Sequence, residues 1–104
     1  MDAQLRALAA GTRRQILALI WQEEHTANDI AAAFAMTRPA ISQHLRVLRE
    51  SHLISVRRAG TRRFYRVNHA AMTQLQAELA SFWGGGLTRL KRAAEQAERR
   101  RKSP

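Results

Sequence analysis

The hydrophobic period changes abruptly near the middle of this chain. Up to about residue 50 the apolar side chains recur every three or four residues, the spacing that gives a helix one buried stripe. Between Ile54 and Val67 they alternate. "ISVRRAGTRRFYRV", residues 54–67, is rich in β-branched and aromatic residues around Ala59-Gly60-Thr61, and it reads as a β-hairpin with Gly60 in the turn. A chain of 104 residues has room for one domain with one modest core. Helices and a single hairpin must therefore share that core, so the expected class is mainly α with a small β-hairpin.

The helical part divides at its breakers. Residues 3–9 predict a short first helix with Leu5 and Leu8 on one side, ended by Gly11. Thr12 is then placed to cap a second helix, "RRQILALIWQEE", with Ile16, Leu17, Ile20 and Trp21 as its buried stripe. Thr26 and Asp29 have the spacing of a capping box and open an alanine-rich third helix over 27–35, with Ile30 and Phe34 inward. "AMT" makes a tight connection to a fourth helix, which Thr37 caps and Pro39 enters in its first turn, where a missing N–H costs nothing.

Asn68 is placed to cap a fifth helix whose apolar side is Met72, Leu75, Leu79 and Phe82 or Trp83. Gly84, Gly85 and Gly86 should interrupt it, at about 1 kcal/mol each relative to alanine. "LTRLKRAAEQAERRR" beyond them is helical in pattern and strongly basic. The resulting division is one domain over 1–98 and a basic, disordered tail over 99–104.

The net charge is +10, a balance that favours polyanionic partners. Its distribution says more than its size. Residues 38–67 hold eight basic side chains and one acidic, a net of +7, and residues 89–104 hold seven and two, a net of +5. Residues 1–37 and 68–88 are each at −1. The first basic block is the fourth helix and the hairpin.

Ile41, Leu45 and Leu48 anchor the fourth helix on the core and leave Ser42, Gln43 and Arg46 on the other side. Gln can bond an adenine edge bidentately, Arg a guanine edge, and Ser either, so this face suits a DNA major groove. The helix N-terminus at Thr37, Arg38 and Pro39 can receive a phosphate. Arg58, Arg62 and Arg63 on the hairpin are placed to reach the backbone or the minor groove. Helix, tight turn, helix and two-stranded wing make a winged helix-turn-helix of order α-α-α-α-β-β-α.

The segments "LRALAAGTRRQIL", "NDIAAAFAMTRPAISQHLRVLRESHLI" and "RRAGTRRFYRVN" together resemble the ArsR/SmtB family of bacterial winged-helix repressors, over about residues 3–92. The resemblance implies a homodimer joined through its first and last helices, with Leu5, Leu8, Leu75, Leu79, Phe82 and Trp83 at the interface. It also implies repression of transcription from a palindromic double-stranded DNA operator. Metal sensing in that family uses a cysteine motif in the third helix, or paired Asp and His ligands on the last helix. This chain has no cysteine, and its last helix has only His69 at its start and no Asp. No metal site and no cofactor are therefore expected, and any effector is an unknown small molecule or partner protein.

Other readings are weaker on residue grounds. A basic RNA- or nucleoid-associated protein would need exposed aromatics for base stacking, and only Phe64 and Tyr65 lie near the basic block. Catalysis has no foothold: there is no cysteine, no phosphate-binding glycine loop ahead of a helix, and no convincing Ser-His-Asp spacing. His25 and His52 fall at helix ends in structural positions, and His44 flanks the apolar stripe, partly buried and hydrogen-bonded. The absence of cysteine fits a reducing cytoplasm. An early acid and the short apolar runs argue against a signal peptide or a membrane span.

Overall fold

A computed structural model describes residues 1–102, as α1 (Asp2–Leu8), α2 (Gly11–Leu19), β1 (His25–Thr26), α3 (Ala27–Phe34), α4 (Arg38–Glu50), β2 (Ile54–Ala59), β3 (Arg62–Val67) and α5 (His69–Lys102). The chain divides into two compact units, Met1–Met72 and Thr73–Pro104. The first holds the winged helix-turn-helix and the second is the continuation of α5.

In the first unit Ile16, Ile20, Ile30, Ile41, Leu45, Leu48 and Leu53 are fully buried. The stripes expected on α2, α3 and α4 thus meet in one core. The wing closes it from the side, with Ile54 opposite Val67 and Val56 opposite Tyr65. Its two-residue loop has Gly60 at φ +62° and no positive φ at Thr61, the pattern of a type II′ turn. A Cβ at Gly60 would meet nothing within 4 Å, so its glycine is required by backbone conformation alone.

The capping expectations hold at three helices. Thr26 and Asp29 form a reciprocal capping box on α3, Thr37 Oγ1 accepts from Ala40 N at 3.3 Å, and Asn68 Oδ1 accepts from Ala71 N at 3.1 Å. Helix α4 ends in a Schellman motif. His52 N donates to Arg49 O and Leu53 N to Leu48 O, both at 3.0 Å, with His52 itself left-handed at φ 63°.

Several expectations change. Gly11 does not separate two helices; it is the first residue of α2, with Ala10 as its cap, and Thr12 lies inside the helix. The break can be this short because two arginines serve the end of α1. Arg13 Nε donates to Ala7 O at 2.6 Å and Arg14 Nη1 to Leu8 O at 2.6 Å, satisfying carbonyls that a helix end leaves open.

Strand β1 pairs with β3, making a three-stranded antiparallel sheet of order β1-β3-β2. At two residues β1 is too short to show an alternation, and His25 belongs to it and not to a helix end. Phe34 is only half-buried. Trp21 is 39% exposed and not in the core, because α2 stops at Leu19. Its ring meets His69 edge-on at 5.1 Å.

In the second unit α5 runs unbroken through Gly84–Gly86 and through 99–102, where the sequence suggested a break and a disordered tail. Ser103 and Pro104 lie outside the described residues. The cost of the glycines is conformational, and it falls between strong helix formers on both sides. Thr88 Oγ1 adds a bond back to Gly84 O at 2.9 Å.

Candidate nucleic-acid interface

Helix α4 exposes two ridges. Ser42, Arg46 and Arg49, at i, i+4 and i+7, line a cleft of about 640 Å³. Its other walls include Asn28 and Arg38 on one side and Arg62 and Arg63 of the wing on the other. Five arginines therefore converge on one concave surface, with Asp29 the only acid among its lining residues. The second ridge, Gln43, Val47 and Glu50, borders a shallower hollow that Arg13 also lines. Val47, at 37% exposed, is the apolar residue on this ridge.

The polar groups at the head of α4 are linked to one another. Arg38 donates from Nε to Asn28 Oδ1 at 2.7 Å and from Nη1 to Ser42 Oγ at 2.7 Å, tying α3 to α4 across the turn. Thr37 spends its hydroxyl oxygen on the helix cap. Pro39 is exposed in the first turn. Arg46 Nε donates to Glu50 at 2.9 Å, with both side chains largely exposed. An exposed pair of this kind is worth little, so Arg46 can readily exchange it for another anion.

The wing arginines fall into two sets. Arg57 is committed to the fold: it pairs with Glu24 and lies over the Phe64 ring at 4.8 Å. That pairing raises the Arg57 guanidinium and, through its hydrogen bonds, holds the Glu24 carboxyl below its usual range. Arg66 Nε donates to Ser55 Oγ at 3.3 Å. Arg58, Arg62 and Arg63 are exposed and make no side-chain hydrogen bond among the described residues. Arg58 and Arg63 also face each other directly across the ribbon. Like charges in that position destabilise a hairpin.

His44 is half-buried, and its Nδ1 lies 3.3 Å from Arg13 Nη1. A guanidinium can only donate, so Nδ1 is the acceptor. This matches the expectation of a hydrogen-bonded, partly buried histidine.

Among the site residues inferred from sequence, Arg38, Ser42, Arg46, Arg62 and Arg63 come together in the cleft. Thr37 and Pro39 sit at the N-terminus of α4 outside the lining of the cleft, Gln43 lies on the neighbouring ridge, and Arg58 is on the wing. The sequence reading missed Asn28 and Arg49. Arg49 was signalled by its i+7 spacing from Ser42. Asn28 had no such signal, because its nearness to Arg38 depends on how α3 packs on α4.

The family model for bacterial regulatory proteins of the arsR family matches residues 11–56, from the start of α2 into the wing. The HTH-type transcriptional regulator Rv2034 of Mycobacterium tuberculosis is 38% identical over 87 residues, 84% of this chain and 81% of that protein. The chain belongs to the arsR family. Another relative is the transcriptional repressor SdpR of Bacillus subtilis, 38% identical over 68 residues, 65% of this chain and 76% of SdpR.

Solved structures agree on the fold of this arsR-family chain. A protein described as a possible transcriptional regulator for arsenical resistance superposes with TM-score 0.71 at 43% identity, covering 86% of this chain and 94% of that one. The homodimeric winged helix-turn-helix DNA-binding domain of Mb0332 from Mycobacterium bovis gives TM-score 0.66 at 33% identity, over 78% of each chain. An arsR-family protein with this winged helix-turn-helix is a DNA-binding transcriptional regulator and not an enzyme.

Proposed function

We propose that this arsR-family regulator is a repressor that binds a palindromic operator as a homodimer. The observation that carries this is the cleft where α4 and the wing bring Arg38, Arg46, Arg49, Arg62 and Arg63 together beside an exposed Ser42. In this reading α4 lies in the major groove with Ser42, Gln43 and Arg46 at base edges. Thr37, Arg38 and Pro39 meet a phosphate at its N-terminus, and Arg58, Arg62 and Arg63 contact the backbone or minor groove.

The homodimer is supported by the neighbour from Mycobacterium bovis and by apolar surface on α1 and α5. Leu5, Phe82, Trp83, Leu87 and Leu90 are between 39% and 65% exposed in the single chain. Leu8 and Leu79 are half-buried. Leu75, assigned to the interface on sequence grounds, is only 4% exposed within one chain and has little surface left to give a partner.

Cytoplasmic placement goes with this role, and no described helix is long and apolar enough to cross a membrane. Release by thiophilic metals has no ligand in a chain without cysteine. Release then comes from a small molecule, a partner protein, or a fall in the level of the protein itself. The RNA-binding reading loses its stacking residues: Tyr65 is buried at 7% and Arg57 covers Phe64. The test is footprinting of the purified protein on the DNA upstream of its own gene. Protection of two half-sites about one helical turn apart is expected, and uniform low-affinity coverage would refute the operator.

A further inference from the structure

The far end of α5 carries charge that neither the cleft nor the apolar surface uses. From Leu87 to Arg101 every residue is exposed. At about 100° per residue, Arg89, Arg92, Arg99 and Arg100 fall within one sector of about 100°, with Gln96 between them. Among the acids of this segment, Glu95 borders that sector, at i+3 from Arg92 and i−4 from Arg99, while Glu98 projects elsewhere and takes Arg101 Nη2 at 2.7 Å, also outside the stripe. Leu87 and Leu90 belong to a separate, adjoining face. A helix that needs only solubility would intersperse its signs, whereas this one collects four guanidiniums along one edge.

We infer that Arg89, Arg92, Arg99 and Arg100 form a second phosphate-binding surface for duplex DNA, independent of sequence and additional to α4 and the wing. Arg89 to Arg100 spans about 16 Å at 1.5 Å per residue, long enough to meet several phosphates along a duplex. All four residues are arginine, whose planar fork binds phosphate oxygens in pairs. The segment suits neither of the other polyanions. Beside Arg92–Arg100 the adjoining face offers only Ala93, Ala94 and Ala97, without the large apolar groups by which an interfacial helix enters a bilayer. It has no aromatic ring on which single-stranded RNA could stack. The inference rests on the DNA-binding reading above.

The experiment compares the full chain with R89Q/R92Q/R99Q/R100Q and with the four-lysine equivalent, on operator and random duplexes between about 50 and 200 mM salt. The glutamine variant should bind both duplexes more weakly by the same factor. Its log-log salt slope should be shallower by about 0.9 for each phosphate that is no longer neutralised. The lysine variant should keep most of the slope. Helix content and sedimentation, equal to those of the unmodified chain, exclude unfolding or loss of the dimer as the cause. An unchanged slope on both duplexes would overturn the inference while leaving the winged-helix reading intact. Loss of binding to anionic vesicles with DNA binding unchanged would assign the stripe to membranes and overturn it as well. Failure of the unmodified chain to bind any duplex would sink both readings.

Discussion

The guanidinium of Arg38 donates to the hydroxyl oxygen of Ser42, one turn along α4, at 2.7 Å. That bond fixes the polarity of Ser42. With one lone pair taken, the hydroxyl keeps its own hydrogen to donate, so it is set to seek an acceptor such as a purine N7 or a phosphate oxygen. Arg38 is in turn held by Asn28 at 2.7 Å. Asn28 thus acts on the interface through Arg38. Asn28→Ala should weaken operator binding by about 0.5–1.5 kcal/mol. In a cycle with Arg38→Ala the two losses should be far from additive. Additive losses in a binding titration would mean that Asn28 touches DNA by itself.

Gln43 stands on the ridge beside the cleft, exposed and next to Val47. Gln43→Ala should cost about 1–3 kcal/mol at the operator and little on random duplex. Arg62→Ala should weaken both alike and lower the salt slope by about 1. Competition binding against random DNA separates the two, and an operator preference that survives Gln43→Ala would move the reading face to the Ser42–Arg49 ridge.

Arg58 and Arg63 sit directly opposite each other on the wing. A repulsive cross-strand pair is a local conflict, tolerated where function needs it. Arg63→Thr should raise fold stability by about 0.5 kcal/mol in urea denaturation while lowering affinity for DNA. A variant that lost stability would show that Arg63 has a structural partner in solution.

The turn between α3 and α4 holds Ala35 in the left-handed region, at φ 51°. That conformation is costly for any residue with a Cβ, so Ala35→Gly should stabilise the fold by about 1 kcal/mol. Denaturant midpoints measure this directly. Operator preference should not change, since Ala35 precedes the DNA-facing part of α4.

Two carboxyls titrate below their usual range. Arg57 lowers Glu24 from 4.5 by hydrogen bonding, and the capping bonds of Thr26 lower Asp29 from 3.8. Depressed folded-state values mean that both groups stabilise the fold above their unfolded pKa, and that this contribution disappears as pH falls through the folded values. The stability contributed by these two groups should therefore be level from neutral pH to about 5 and should decline below about 4. Glu24→Gln should remove part of that acid sensitivity in thermal melts at a series of pH values.

Short-range signals along the chain are enough for the winged helix-turn-helix. Ile41, Leu45 and Leu48 at helical spacing, the change of period at Ile54, and the caps at Thr26, Thr37 and Asn68 are all local, and each is met in the fold. They are legible because backbone hydrogen bonds and one-sided burial act over a few neighbouring residues. Packing settled whatever depends on distant neighbours. Asn28 reaches Arg38 only because α3 packs on α4. Arg57 is committed to the fold only because Glu24 lies beside it, 33 positions back in the chain. Trp21 leaves its expected place in the core, because burial of a side chain follows where its helix ends, which no window of sequence contains. The glycines of α5 fit the same division. Their propensity predicts a break, but propensity is a weak local term, and a helix-forming sequence on both sides carries α5 through.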